Sequence, residues 1–126
     1  MPYSIVHTIL PDYLEVKITG TIMEGYALKE ATKRWSSVAA LCKKVNRNLI
    51  LAFVDLKGNH TTQSKFSLVD KAATFGWQAD YKLSVVVKNE EQYNHLLFTE
   101  TVMNNLGYEM KLFRNKREAK KWLLDS

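Results

Sequence analysis

The stretch from 107 to 124, GYEMKLFRNKREAKKWLL, admits two readings. Lys111, Arg114, Lys116, Arg117, Lys120 and Lys121 stand in it against two glutamates, the composition of a basic tail. Its spacing says otherwise. Gly107 suits the stop of a preceding helix. In YEMKLF (108–113) apolar and polar residues alternate, the period of a strand. Asn115 and Glu118 have the spacing of a capping box. Ala119, Trp122 and Leu123 then share one helical face and leave the cations on the other. The segment predicts a strand, a turn and a helix with a solvated charged face.

Moving towards the N-terminus, YKLSVVV (81–87) reads as a buried strand. Asn89, with Gln92 at the capping-box position, opens a helix through EEQYNHLLFTETVMNNL. NLILAFVDL (48–56) is a continuous apolar run ending in Asp55, as expected of a strand buried on both faces of a parallel sheet. KGNHTTQS after it is polar and turn-rich, hence a loop. KFSLVDKAATFGW (65–77) has helical spacing with apolar residues on two faces. Phe66, Val69 and Ala73 form one set; Leu68, Ala72 and Phe75 form the other. Such a helix is buried, or it covers something besides its own sheet.

At the start of the chain, YSIVHTI (3–9) and YLEVKIT (13–19) flank an LPD turn and predict an antiparallel hairpin. Thr21 with Glu24 has capping-box spacing. Leu28, Ala31, Trp35, Val38, Cys42 and Val45 then follow at steps of three and four, the apolar stripe of a helix closed by NRN. The predicted order is ββαβαβαβα: an α/β fold with an opening antiparallel hairpin, then parallel strands joined by right-handed crossovers. At 126 residues the chain is expected to be a single domain, 1–126. Ligands and partners of such sheets gather at the carboxyl ends of the parallel strands. Here that edge collects Gly20–Thr21, Asp55 to Ser64, Lys88–Asn89 and Arg114–Asn115.

The pattern LAFVDLKG, a helix, YKLSVVV, a helix ending in NNLG, then MKLFRNKREAKKWL resembles the STAS-like family. More narrowly, it is similar to the branch related to the bacterial sporulation anti-sigma-factor antagonist. Phe113, Asn115, Ala119, Trp122 and Leu123 carry the resemblance most specifically. It implies a STAS-like fold and a non-enzymatic regulatory or binding role, engaging a partner protein or a small apolar ligand. Antagonists of that family switch by phosphorylation of a Ser or Thr after the central strand. The corresponding stretch, DLKGNHTTQSKF, offers Thr61, Thr62 and Ser64, in a longer loop that lacks the family's Asp-Ser-Ser-Gly-type pattern. A phosphate near a helix N-terminus would meet free N–H groups, with Lys57 and Lys65 close in sequence.

The remaining chemistry is sparse. Asp55 is a candidate acid or a polar anchor for a binding loop, and His60 stands near it in sequence without an evident nucleophile. Leu68, Phe75 and Trp77 are candidates to cover an apolar pocket or to form a homodimer contact. Three histidines and one cysteine have no metal-ligand spacing, so no metal or other cofactor is expected. Cys42 on an apolar face predicts an inert thiol and suits a reducing compartment. No run approaches a membrane span, an ordinary signal peptide is not expected, and the expected location is cytoplasmic. A net charge of +5 permits nucleic-acid association. Yet Trp122, the aromatic nearest the cations of the terminal helix, is predicted to face the core rather than stack on bases, so nucleic acid is not the expected partner.

Overall fold

The computed structural model describes residues 3–21, 27–57 and 76–125, with backbone alone for Tyr3, Ala27 and Leu28. The elements are β1 (Tyr3–Ile9), β2 (Leu14–Thr21), α1 (Ala27–Val45), β3 (Leu49–Lys57), β4 (Lys82–Val86), α2 (Glu90–Asn105), β5 (Glu109–Phe113) and α3 (Lys116–Leu124). The expected helix within 65–77 and Glu24 of the expected capping box lie outside the described residues. The strands form a mixed sheet in the order β1-β2-β3-β4-β5. β1 is antiparallel to β2, and every later pair is parallel. This is the expected α/β architecture.

Strand alternation sorts the side chains onto two faces. In register, Leu14, Ile50, Leu83 and Met110 form one row; Val16, Ala52, Val85 and Leu112 form the next. All eight are buried. Val38, Ala39 and Cys42 of α1 and Met103 of α2 close over that face. The opposite face carries Leu51, Phe53, Val86 and Phe113, and α3 covers it with Ala119, Trp122 and Leu123. The crossover helices α1 and α2 share a face because right-handed connections along a monotonic strand order all pass the same way. α3 follows the edge strand β5 and packs on the other side.

Local chemistry fixes the helix ends. The Asn89 side chain accepts from the Gln92 N–H at 3.1 Å, and that of Asn115 accepts from the Glu118 N–H at 2.9 Å. α2 ends as its sequence predicts. The Gly107 N–H donates to the Asn104 carbonyl and the Tyr108 N–H to that of Met103, both closing bonds of a Schellman turn. Gly107 sits at φ +93°, and no atom lies within 4 Å of where a Cβ would stand. Lys82 on β4 donates to the Trp122 and Asp125 carbonyls at 2.8 and 2.9 Å, satisfying the C-terminal carbonyls of α3, and lies over the Trp122 ring. Arg47 ties the sheet's other end. It donates to the carbonyl of Leu10 in the hairpin turn and to that of Val45 at the end of α1.

Gly107→Ala is expected to lower stability by roughly 1–2 kcal/mol, the cost of a left-handed conformation alone, since the site has room for a methyl group. A shifted urea midpoint with unchanged slope would show it. Burial pushes the Cys42 thiol up to about 11. It is therefore expected to react with a thiol reagent at neutral pH only in denaturant; reaction of the native protein at the rate of a free thiol would contradict the packing.

Candidate functional site

The carboxyl edge of the parallel strands is the surface on which the sequence places its candidate residues. The end of β3 brings Asp55 and Lys57 onto one face, two residues apart, and both are exposed. Their register neighbours on β2 are Thr19 and Thr21. This is the face that α3 covers, but α3 stops short of them. Its first residue, Lys116, reaches Glu15 at 3.0 Å and lies over the Phe53 ring, one row below Asp55. Asp55, Lys57, Thr19 and Thr21 thus form a polar shelf beyond the α3 N-terminus. The chain leaves that shelf directly into the expected loop. His60, Thr61, Thr62, Ser64, Leu68 and Phe75 lie outside the described residues.

Trp77 is placed elsewhere. Gly76, at φ +97°, turns the chain against Ala39, and Trp77 enters the core on the α1 side of the sheet. Its ring meets Trp35 and Tyr81 edge-on, with centroids 5.7 and 5.2 Å away. Trp77 and the Asp55–Lys57 shelf therefore belong to opposite faces. The indole Nε1 of Trp77 is buried with no hydrogen-bond partner. A buried N–H without an acceptor is costly.

Further along the edge, β4 and β5 end side by side. Arg114 makes two hydrogen bonds to the Glu90 carboxylate, one of them 3.0 Å between Nη2 and Oε1, and stacks over the Tyr93 ring. The sequence placed Arg114 on this edge and among the cations of the C-terminal stretch but did not single out Glu90 or Tyr93. The Asn89 cap was the available signal: it sets Glu90 in the first turn of α2 and Tyr93 one turn on. The hydrogen bond from Arg114 holds the Glu90 carboxyl below the usual carboxylate range and raises the Arg114 guanidinium in turn.

The basic residues of the C-terminal stretch divide accordingly. Arg114 and Lys116 are committed to carboxylates within the fold, and Lys111 lies over the Phe113 ring. Arg117 and Lys121, with Asn115 and Glu118, line a shallow, open depression on α3. Among the described residues, no group of three His, Cys, Asp or Glu is placed to hold a metal ion. No helix among them is long and apolar enough to cross a membrane.

The chain is similar to an uncharacterised protein of the DUF3478 family from Shewanella loihica PV-4, whose crystal structure has a SpoIIAA-like fold. The two share 19% identity with a TM-score of 0.53, over 96% of this chain and 93% of that one. No family model and no curated protein matches the chain. The likeness establishes a SpoIIAA-like, that is STAS-like, fold.

In Arg114→Gln, the Glu90 carboxyl is expected to titrate at higher pH than in the wild type, followed by NMR of its side-chain carboxyl. The sign follows from linkage. A carboxyl lowered in the folded state stabilises above its unfolded pKa, and that contribution is lost as pH falls through the folded value. An unchanged Glu90 titration would show that the ion pair does not persist in solution.

Proposed function

We propose that this protein is a non-enzymatic regulatory module of STAS-like fold, engaging a partner protein or a small apolar ligand at the carboxyl edge of its parallel sheet. The polar shelf carries this reading. Asp55 and Lys57 stand exposed at the end of β3 with two threonines as register neighbours, beyond the reach of α3. Such a shelf offers hydrogen bonds and charge to a partner, and no nucleophile–base pair is described within it. The stretch from His60 to Ser64 and the expected helix with Leu68 and Phe75 would extend this surface. Phosphorylation of Thr61, Thr62 or Ser64 would add negative charge beside Lys57 and switch the same surface.

A small apolar ligand would have a second, separate place in the core at Trp77, away from that edge. Its unpaired, buried indole N–H, walled by Trp35 and Tyr81, suits a mostly apolar molecule bearing one oxygen acceptor. A nucleic-acid role is disfavoured because Arg114 and Lys116 are spent on internal carboxylates and Trp122 packs on Phe113.

The test combines affinity capture from a lysate with fluorescence titration by a medium-chain fatty acid. For a partner protein, Asp55→Ala/Lys57→Ala is expected to lose a band that the wild type retains. For a ligand, the fatty acid is expected to change tryptophan emission in the wild type and much less in Trp77→Phe. Capture unaffected by the double substitution, together with no emission change, would contradict binding through this edge and this core.

A further inference from the structure

The two edges of the sheet are finished differently. At β5, the outward backbone groups are taken up by α2. The Asn104 side chain accepts from the Met110 N–H and donates to the Met110 carbonyl, and the Glu100 carboxylate accepts from the Leu112 N–H. No further strand is able to add there without displacing α2. At β1 no such cover is described. The Leu10 N–H donates to the Tyr13 carbonyl at 3.0 Å, which fixes the phase of the hairpin. Since bonded pairs alternate along an antiparallel ladder, Thr8, Val6 and Ser4 turn their backbone groups to β2. Ile5, His7 and Ile9 turn theirs outward.

Nothing in β1 guards that edge. YSIVHTI contains no lysine, proline, glycine or acidic residue, the usual means of discouraging strand addition. Val6 is 61% exposed and Ile9 48%.

The sequence is also self-complementary about its centre. Set antiparallel to a second copy with the twofold at Val6, all seven residues pair, and the outward groups of Ile5 and His7 meet those of His7 and Ile5 in the other copy. Ser4 stands opposite Thr8, Tyr3 opposite Ile9, and Val6 opposite Val6 in a close, non-hydrogen-bonded pair. Centring on Ile5 or His7 keeps the bonding phase but leaves residues unpaired. No formal charge faces its like across the axis. The nearest is Lys17, opposite Val6 on β2, and its two copies are three strand spacings apart, about 14 Å, beyond the screening length at physiological salt.

We propose that β1 is a self-pairing edge through which two copies of this chain form a reversible dimer with one continuous sheet. The partner is a second copy because the strand is uncharged and matches itself residue for residue. A single strand pair is small beside a standard interface, so dissociation in the micromolar range is expected.

Sedimentation velocity from about 5 to about 500 µM spans that range. The wild type is expected to pass from monomer to dimer. Val6→Lys sets like charges across the twofold, and His7→Pro removes an outward N–H without touching the bonds to β2. Both variants are expected to stay monomeric, His7→Pro with the wild-type urea midpoint and Val6→Lys with one lowered slightly by Lys17 opposite it. Cross-linking fixes the register. The Cα separation of a non-hydrogen-bonded pair, about 4.5 Å, admits a disulfide. Val6→Cys is therefore expected to give a covalent dimer under mild oxidation, and Thr8→Cys is not; Cys42 is buried and silent. A wild type monomeric throughout, or dimers unaffected by Val6→Lys, would overturn the proposal. So would a Thr8→Cys cross-link forming as readily as that of Val6→Cys.

Discussion

β3 and β4 carry apolar side chains on both faces, and the described structure is arranged around covering both. Ile50 and Leu51 are adjacent in sequence, point to opposite faces and are both fully buried. Each such pair requires a layer above and a layer below. The crossover helices supply one layer and, by the handedness of their connections, cannot supply the other. α3 is the second layer. Its Ala119 and Leu123 are buried against Leu51 and Val86, which makes the C-terminal stretch part of the core rather than an appendage.

Polar contacts then fix the layers in place. Lys82 satisfies the C-terminal carbonyls of α3, and Lys116 holds its first turn to Glu15. Arg114 joins the end of β5 to the start of α2, while Asn104 and Glu100 join the end of α2 back to β5. These bonds run along the helix ends and the sheet margin, where backbone groups would otherwise lack partners. Not every buried polar atom is matched in this way. The Ser84 hydroxyl is fully buried beneath α3 with no hydrogen-bond partner, a cost that the surrounding apolar contacts offset.

Much of this was legible in the sequence because it is local. The capping asparagines, the Gly107 stop, the alternation of β2 and the Ala119–Trp122–Leu123 face each lie within a few residues, and each appears as its spacing predicts. Asp55 and Lys57 share a face for the same reason, the period of two. The contacts joining distant residues were not legible. Glu90 meets Arg114, and Arg47 meets Leu10, only because β4 lies beside β5 and the hairpin lies beyond the end of α1. No local pattern encodes strand order. Trp77 shows the same limit. Its apolar neighbours mark it as core or pocket lining, and it does pack in the core, but the left-handed turn at Gly76 and the contact with Trp35 lie beyond that local pattern.

The central claim is that residues 107–124 form an integral strand and covering helix of the fold. Native-state hydrogen exchange measures this most directly. Amides of Ala119 to Leu123 are expected to open only with free energies close to that of global unfolding, together with those of β3 and β4. Exchange of these amides at the rate of an unstructured peptide, while β3 and β4 remain protected, would contradict it.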